Sequence, residues 1–284
     1  MVSHDCRARA RFERRAPGPD MSLPIKLIST DFDGTLHSDF EFPPVPRELE
    51  HLIGSLQKQG VAWIINTGRD LSNLMEGIAR AQLSIHPDFV VVVEREIYEH
   101  RDAQYIGVED WNTGCAEAHA DVFQTIRPAL PEIIQWVQSR FEATIYEDPY
   151  SPFCLIAQNR SDAEAIHDYL AIRAQGFSDL TVVRNDIYAR FSHKAYNKGS
   201  ALAEVARRLG VSRDFILAAG DHYNDLPMLS SEYARWLVAP SNAIPEVKET
   251  VRRQNGFVSL EPAGSGVARG LEFLLKTGSF AQPG

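Results

Sequence analysis

The chain has 284 residues, of which 44% are apolar and 24% charged, so it is long enough for one large or two modest globular domains. Its formal net charge of −9 argues against nonspecific nucleic-acid binding, and no apolar run reaches the ~18 residues of a membrane span. Three scattered cysteines without a C-x-x-C pair argue against a disulfide framework and a cysteine-type zinc site, and they predict a reducing, cytoplasmic location.

The first 20 residues differ in composition from the rest of the chain. They contain five arginines and three acids, lack apolar periodicity and end just before Met21. A disordered extension, a translation start placed too early and a targeting segment are the three interpretations. The lack of an apolar stretch and the presence of acids argue against targeting. Residues 1–20 are therefore predicted to lie outside the fold.

The chain then alternates apolar strands with amphipathic helices. Buried strands are predicted at 25–30, 61–65 and 89–93, and helices at about 46–56 and 71–81. The third strand has no polar face, which is typical of a strand covered on both sides in a parallel sheet. This order predicts an α/β fold with a doubly wound parallel sheet, a Rossmann-like core.

The pattern changes after the third strand. A short hairpin is predicted from 97–99 and 104–106, followed by a helical stretch at about 114–140 that is interrupted near Pro128 and Pro131. Two strands, a helix and two more strands follow, at about 142–147, 153–158, 162–175, 180–184 and 187–191. Strands that follow one another without a crossover helix predict an antiparallel sheet, and hence an inserted α+β domain.

The doubly wound pattern resumes near residue 197. Two helices and two strands complete this layer, at 198–209, 266–275, 215–219 and 234–239. The sequence therefore predicts a core domain built from residues 21–107 and 193–284. The inserted domain is predicted at 108–192.

Two carboxylates, Asp31 and Asp33, directly follow the first predicted strand. At positions i and i+2 of an extended chain their side chains can project to the same side. Two acids placed in this way repel each other unless a metal ion is present or one acid holds a proton. The alternative is an ordinary junction between a strand and a turn, since Asp and Gly are common in turns.

Polar residues follow two more of the predicted parallel strands. Residues 67–69 come after the second strand, and residues 221–225 come after the strand at 215–219. Because the carboxyl ends of parallel strands meet at one edge of a sheet, these groups are expected to converge with the two aspartates. Lys198 begins a helix, where the helix dipole does not favour a cation, and this indicates a specific anionic partner.

This set of residues suits the binding of a divalent cation and a phosphate group. Mg²⁺ prefers carboxylate and carbonyl oxygens, which Asp31, Asp221 and the backbone carbonyl of Asp33 would supply. Phosphate oxygens would be bound by groups that offer a charge, a hydroxyl or an unobstructed backbone N–H, namely Lys198, Thr67, Gly68 and Gly34. The cation also needs an anionic substrate to bridge, and phosphate oxygens fit best, because phosphoryl transfer depends mainly on positioning and charge stabilisation.

The segments 31–35, 67–69, Lys198 and 220–225 resemble, in this order, the four motifs of phosphatases of the haloacid-dehalogenase (HAD) superfamily. The insertion between the second and third motifs resembles the C2-type cap of that superfamily, in its smaller C2B form. The resemblance implies a HAD core with an inserted cap domain.

The segment Glu96-Ile97-Tyr98, together with Trp111, resembles the sucrose-phosphate phosphatases. The chain as a whole resembles the sucrose-phosphate phosphatase / Cof-like group. The chain departs from these relatives at Glu94-Arg95. They usually carry small residues such as glycine at that place.

The resemblance implies an Mg²⁺-dependent phosphatase that acts through an aspartyl-phosphate. Asp31 would be the nucleophile, and Asp33 would protonate the leaving oxygen and later deprotonate the attacking water. Arg69 would either contact the substrate or form a salt bridge. Thr67 and Lys198 would bind the phosphate, and Asp221 would bind the metal ion. Asn224 and Asp225 would lie beside the metal and support it.

The favoured function is the hydrolysis of a sugar phosphate by a monomer or small homo-oligomer, without nucleic-acid or membrane partners. A phosphomutase or phosphotransferase would use the same residues and pass the phosphate to another hydroxyl. A non-catalytic protein that binds a phosphometabolite is the third alternative. The complete set of catalytic residue types argues against it.

Overall fold

The computed structural model describes residues 23–280 of the chain. The extension predicted at residues 1–20 lies outside the described residues. Within residues 23–280, no helix is both long enough and apolar enough to cross a lipid bilayer.

The strands and helices of the described residues are numbered in chain order. The strands are β1 (Leu27–Thr30), β2 (Ala62–Asn66), β3 (Phe89–Val92), β4 (Glu96–Arg101), β5 (Gln104–Gly107), β6 (Ala143–Asp148), β7 (Ser151–Ala157), β8 (Leu180–Asn185), β9 (Tyr188–His193), β10 (Ile216–Ala219), β11 (Trp236–Ala239) and β12 (Phe257–Val258). The α-helices are α1 (Arg47–Lys58), α2 (Leu71–Ala81), α3 (Glu109–Ile126), α4 (Leu130–Gln138), α5 (Arg160–Ala174), α6 (Lys198–Leu209), α7 (Pro245–Arg253) and α8 (Ala263–Thr277). Short 3-10 helices lie at Arg127–Ala129, Arg213–Phe215 and Tyr223–Asp225.

The larger of the two sheets has β1 near its middle. Its order is β12-β11-β10-β1-β2-β3-β4-β5, and the pairing is parallel from β12 to β3. Parallel strands connected through helices confirm the predicted doubly wound core. The predicted hairpin is also confirmed, as β4 and β5, and it extends this sheet by antiparallel pairing with β3.

The register of β1 decides which residues meet at the carboxyl edge of this sheet. Thr30, the last residue of β1, lies opposite Ile65 of β2 and Ala219 of β10. The segments that follow these strands therefore leave the sheet side by side. All four residues of β1 are buried, as expected for a strand covered on both faces.

Helices cover both faces of the large sheet. On one face, α1, α2 and α8 contribute to an apolar cluster that includes Ile28 and Leu271. On the other face, α6 and α7 contribute to a second cluster that includes Leu27, Leu202 and Val247. Successive residues of β1 thus point to opposite faces, as the period of a strand requires.

Helix α6 begins at Lys198 because of its capping residues. The side chain of Asn197 accepts hydrogen bonds from the backbone N–H groups of Gly199 and Ser200 at 2.9 and 3.1 Å. The hydroxyl of Ser200 in turn accepts from the backbone N–H of Asn197, which completes a capping box. Gly210 ends the helix in the left-handed conformation, with φ +66°. The helix predicted at this place is confirmed.

Residues 143–193 contain a separate four-stranded sheet. Its order is β6-β7-β9-β8 and every pair is antiparallel, as predicted. This second sheet packs with α3, α4 and α5 around a third apolar cluster that includes Phe153, Ile166 and Phe191. The domain limits at 107/108 and 192/193 stay a prediction.

Three elements differ from the predicted ones. Helix α3 begins at Glu109, earlier than the predicted start near 114, because its first turn contains acids that suit a helix start but show no apolar period. The sequence does not predict α7, because a helix in which only Val247 and Val251 of nine residues are buried has a weak apolar pattern. It also lacks β12, because a strand of two residues is too short to show a period.

Ile166 and Ile172 allow a matched test of the third apolar cluster on one helix. Both lie on α5, but Ile166 has no exposed surface whereas 66% of Ile172 is exposed. Ile166→Ala is expected to lower the free energy of unfolding by about 2–5 kcal/mol, because it leaves a cavity. Ile172→Ala should change it by less than about 0.5 kcal/mol. Urea titration followed by circular dichroism measures both, and equal losses would contradict this packing.

Candidate active site

A buried lysine joins two carboxylates at the carboxyl edge of the large sheet. Lys198 Nζ donates to Asp31 Oδ1 at 2.8 Å and to Asp225 Oδ1 at 2.6 Å. Lys198 and Asp225 have no exposed surface, and Asp31 has 5%. Since a buried ammonium is costly without a partner, these two ion pairs are what keep Lys198 inside the fold.

Burial sets the electrostatics of these groups. Burial raises the pKa of Asp31 well above its usual range, Asp225 adds to the rise, and Lys198 opposes it. Burial also disfavours the ammonium of Lys198, but Asp225 and Asp31 together outweigh this effect and the pKa of Lys198 is raised. Lys198 is therefore a permanent positive charge, and the ionised form of Asp31 depends on nearby cations.

Three carboxylates surround this lysine. Asp31, Asp221 and Asp225 each place a carboxylate oxygen within 4.8 Å of the other two. Burial and the charge of Asp225 raise the pKa of Asp221 to about 7. With a single lysine bonded within this group, two negative charges remain uncompensated when all three acids are ionised. A divalent cation would balance them, and a set of oxygen ligands fits Mg²⁺.

The carboxylate oxygens of Asp225 accept more hydrogen bonds from the protein than those of Asp221. Asp225 Oδ1 accepts from Lys198, and its Oδ2 accepts from the backbone N–H groups of Asp221 and His222 at 2.8 and 2.9 Å. Asp221 Oδ1 accepts from the hydroxyl of Thr35 at 2.7 Å. Asp225 thus shapes the loop after β10, whereas Asp221 is better placed to bind a metal ion.

Gly34 allows the loop after β1 to approach Asp221 closely. Its φ of +74° lies in the left-handed region, and a Cβ atom at this position would lie 2.5 Å from Asp221 Oδ2. A side chain here would therefore displace the carboxylate. Asn242 connects the two loops at this contact, since its Nδ2 donates to Gly34 O at 2.7 Å and to Asp221 Oδ2 at 3.4 Å. No sequence pattern identifies Asn242, which lies in the turn after β11.

Asp33 lies outside the group of three carboxylates. Arg69 Nε donates to Asp33 Oδ2 at 2.7 Å, and Arg69 Nη2 donates to Asp33 Oδ1 at 2.6 Å. Of the two roles expected for Arg69, the structure contains the salt bridge. The pair is partly exposed, with 43% of the Asp33 side chain accessible. Because partly exposed pairs contribute little free energy, a ligand can separate them at low cost.

Thr67 and Gly68 follow β2 at the same edge of the sheet. The backbone N–H of Thr67 donates to Val91 O at 2.8 Å. Its hydroxyl accepts from the backbone N–H of Arg69 at 3.2 Å and can still donate to a ligand. A Cβ atom at Gly68 would lie 3.3 Å from Glu94 Oε1, so this backbone is approached closely by a carboxylate.

Two charged residues at this edge, Glu94 and Arg190, were given no role by the sequence. Asn224 Nδ2 donates to Glu94 Oε1 at 2.9 Å, and Arg190 Nη2 of β9 donates to Glu94 Oε2 at 3.1 Å. Both Glu94 and Arg190 are buried. The sequence signal for Glu94 is the Glu94-Arg95 pair, at which the chain departs from the resemblance described above.

A cavity of about 470 Å³ lies beside Arg69, between the two sheets. Its lining includes residues from both sides of the cleft, among them Gly68, Arg69, Asn73, Tyr146, Asp148, Tyr188 and Arg190. A second cavity of about 510 Å³ lies on the side of Lys198 and Asn224. The first cavity is adjacent to Asp33, because Arg69 both lines this cavity and donates hydrogen bonds to the Asp33 carboxylate.

Comparisons with known proteins give a family model, related phosphatases and a similar solved fold. A family model described as a haloacid dehalogenase-like hydrolase matches residues 126–271. Phosphoglycolate phosphatase from Methanopyrus kandleri is 27% identical over 88% of this chain and 97% of its own length. Mannosylfructose-phosphate phosphatase from Agrobacterium fabrum is 24% identical over 87% of this chain and 96% of its own length. A solved sucrose-phosphatase from Synechocystis, in complex with sucrose and phosphate, has a TM-score of 0.65 at 18% identity, covers 91% of this chain and 100% of its own, and supports the fold.

Asp221 is expected to link magnesium binding to pH. Its pKa of about 7 exceeds the ordinary 3.8, so between about pH 4 and about pH 7 the metal-free folded state holds a proton that the unfolded chain has lost. As pH rises through this window, Asp221 should therefore lower the free energy of unfolding of chelator-treated protein, by at most about 1.4 kcal/mol per pH unit from this one group. Since Mg²⁺ binds the ionised carboxylate, it should stabilise the protein more at about pH 8 than at about pH 5.

Two variants separate Asp221 from a general charge effect. Asp221→Asn is expected to lose the stabilisation by Mg²⁺ and to flatten the dependence on pH. Asp121→Asn, an exposed change on α3, should preserve both. Urea unfolding with EDTA or with Mg²⁺ measures these effects, and equal stabilisation by Mg²⁺ at both pH values would contradict the prediction.

Proposed function

This chain belongs to the haloacid dehalogenase-like hydrolases and is a phosphatase, and on this premise we propose that it hydrolyses a small phosphorylated metabolite, with a sugar phosphate as the substrate class. The proposed reaction depends on Mg²⁺ and passes through an aspartyl-phosphate. The observation that supports it above all is the buried pair of Lys198 and Asp31 beside Asp221, with Asp33 at the same edge of the sheet.

Asp31 is the proposed nucleophile. Its backbone N–H donates to Ala219 O at 2.9 Å and its Oδ1 accepts from Lys198, so the carboxylate is fixed at the end of β1. One carboxylate oxygen forms a bond to phosphorus while the bond from phosphorus to the leaving oxygen breaks. Lys198, Thr67 and Gly68 would bind the phosphate oxygens during this transfer.

Mg²⁺, when bound, would neutralise charge on the phosphate and on the attacking carboxylate. The carboxylates of Asp31 and Asp221 and the backbone carbonyl of Asp33 would hold it. Asp225 would orient Lys198 and the loop after β10, and Asn224 would lie beside the metal.

Asp33 is the proposed acid and base. It begins the cycle with a proton, which it gives to the leaving oxygen. It then accepts a proton from the water that attacks the aspartyl-phosphate, which releases inorganic phosphate and restores Asp31. This role requires Arg69 to leave the Asp33 carboxylate when substrate binds, and the phosphate dianion is an alternative partner for the guanidinium.

The cavity beside Arg69 supports a sugar phosphate as the substrate. Tyr146 and Tyr188 can pack against a sugar ring, and Asp148 can accept hydrogen bonds from hydroxyl groups. One similar protein is named mannosylfructose-phosphate phosphatase, and another is a sucrose-phosphatase solved in complex with sucrose and phosphate. In this proposal residues 108–192 act as a cap that closes over the substrate, excludes water and provides specificity.

We further propose a cytoplasmic enzyme that needs no nucleic-acid or membrane partner. Cys115 and Cys154 are buried free thiols, in keeping with a reducing compartment. A monomer or small homo-oligomer is sufficient, because the residues of the proposed site come from one chain.

Phosphate release from a panel of sugar phosphates tests this function. The wild-type protein is expected to release phosphate with Mg²⁺ and to lose this activity with a chelator. Asp31→Asn should release none and form no phosphoenzyme, because the amide lacks a nucleophilic oxygen. Asp121→Asn is the matched control and should retain activity. Turnover by Asp31→Asn, or indifference to the chelator, would overturn the mechanism, and an isomerised sugar phosphate would favour a phosphomutase.

Asp33→Asn separates the two halves of the reaction. With 4-nitrophenyl phosphate, whose leaving group needs no proton, the variant is expected to release one equivalent of 4-nitrophenol and then stall as phosphoenzyme. With a sugar phosphate the first step should itself slow by about 10²–10⁴-fold. Rapid-quench kinetics with trapping of the phosphoenzyme measures both steps. Steady turnover of 4-nitrophenyl phosphate at the wild-type rate would exclude Asp33 as the base.

A further inference from the structure

Glu94 has a backbone conformation that side chains rarely adopt. Its φ is +68° and that of the preceding Val93 is +44°, and both values lie in the left-handed region. A β-branched residue there is strained, and such strain persists only where surrounding contacts enforce it. The contacts of the Val93-Glu94 turn are therefore the reason for its shape.

The backbone of this turn is bonded to the loop after β2. The N–H of Val93 donates to Arg69 O and the N–H of Glu94 donates to Thr67 O, each at 2.9 Å. The turn is thus fixed to the residues proposed to bind phosphate.

The side chain of Glu94 joins two other parts of the molecule. Its Oε1 accepts from Asn224 in the loop after β10, and its Oε2 accepts from Arg190 on β9 of the second sheet. Arg190 Nη2 also donates to Val93 O at 2.6 Å. Glu94 is 6% exposed and Arg190 3% exposed, so the pair is desolvated and sensitive to the loss of either charge.

This bond also decides the orientation of the Asn224 amide. An ionised carboxylate only accepts hydrogen bonds, so Glu94 selects the orientation in which Asn224 Nδ2 faces it. Asn224 Oδ1 then points the other way, buried and with no donor among residues 23–280 within hydrogen-bond distance. Asn224 directly precedes Asp225, which binds Lys198. The orientation of this amide is thus set at the centre of the site.

We propose that Glu94 is a positioning residue, which holds the Asn224 amide in one orientation and couples it to the second sheet through Arg190. The proposal rests on the phosphatase function proposed above for the same site. Glu94 acts through Asn224 and does not contact the leaving group. Its removal should therefore impair the reaction of every phosphomonoester to a similar degree.

Glu94→Gln tests this role with a side chain of nearly the same shape. Gln can donate as well as accept, so it allows the Asn224 amide to turn over, and it leaves the charge of Arg190 without its carboxylate partner. We expect kcat to fall by about 10–100-fold for both 4-nitrophenyl phosphate and the best sugar phosphate, with little change in KM. Arg190→Met should have a similar effect, and Arg190→Lys should retain more activity because it keeps the charge.

The double variant Glu94→Gln/Arg190→Met should be no slower than the slower single variant, because both act through the same contact. Arg127→Met and Glu147→Gln are matched controls, since they break an ion pair of 2.6 Å on the exposed surface of the second-sheet region. Both should retain the wild-type kcat.

A second measurement does not depend on activity. The side-chain NH₂ signal of Asn224 in a ¹⁵N–¹H spectrum, assigned by its loss in Asn224→Ala, should shift in Glu94→Gln and in Arg190→Lys. It should stay unchanged in Glu147→Gln. If no phosphomonoester is turned over by the wild-type protein, the proposed function fails while this signal still decides the role of Glu94.

Three outcomes would overturn the proposal. An unchanged kcat in Glu94→Gln, even with a lowered unfolding temperature, would reduce Glu94 to a structural role. A loss confined to sugar phosphates would mean that Glu94 and Arg190 contact the leaving group. Losses that multiply in the double variant would show that the two residues act separately. Should Glu94→Gln fail to fold, Arg190→Met answers the first two questions, because it removes the same ion pair.

Discussion

The ammonium of Lys198, buried between Asp31 and Asp225, is the contact on which the surrounding arrangement depends. A charge with no exposed surface is tolerated only when it is paired, so α6 can pack on the sheet only where its first residue reaches both carboxylates. Asn66, the last residue of β2, supports this position by donating to the backbone carbonyl of Lys198 at 2.9 Å. The start of one helix is thus tied to the ends of three neighbouring strands, β1, β2 and β10.

The charge balance around this lysine separates the aspartates into two kinds. Asp31, Asp221 and Asp225 together have more negative charge than Lys198 compensates, and burial makes that excess costly, which suits a divalent cation. Asp33 is removed from the group, partly exposed and paired with Arg69 beside a cavity. In the proposed mechanism one carboxylate exchanges a proton and another bonds to phosphorus, and two such roles call for different environments.

The two sheets meet through polar contacts that are unusual in being buried. Besides the contacts of Glu94, Arg95 donates to Tyr150 O at 2.7 Å and to the hydroxyl of Ser192 at 3.4 Å. Burial lowers the pKa of Arg95 to about 10, with Arg190 adding to the decrease. Two adjacent residues of the large-sheet region therefore bind the second-sheet region by desolvated charges. Such contacts are sensitive to geometry, and they relate the position of the second sheet to that of the loops at the carboxyl edge of the large sheet.

The sequence alone determined the doubly wound core, the inserted antiparallel sheet and the convergence of the aspartates with Lys198 at one sheet edge, because strand length, helical period and chain order are local properties. It did not determine the early start of α3, the presence of α7 or that of β12, whose apolar patterns are weak or too short. Only the tertiary structure decided which charges pair, as with Asp33 and Arg69 or Glu94 and Arg190. Those partners lie far apart in the chain, and the distances between them follow from strand register and the packing of the two sheets, which no local pattern contains.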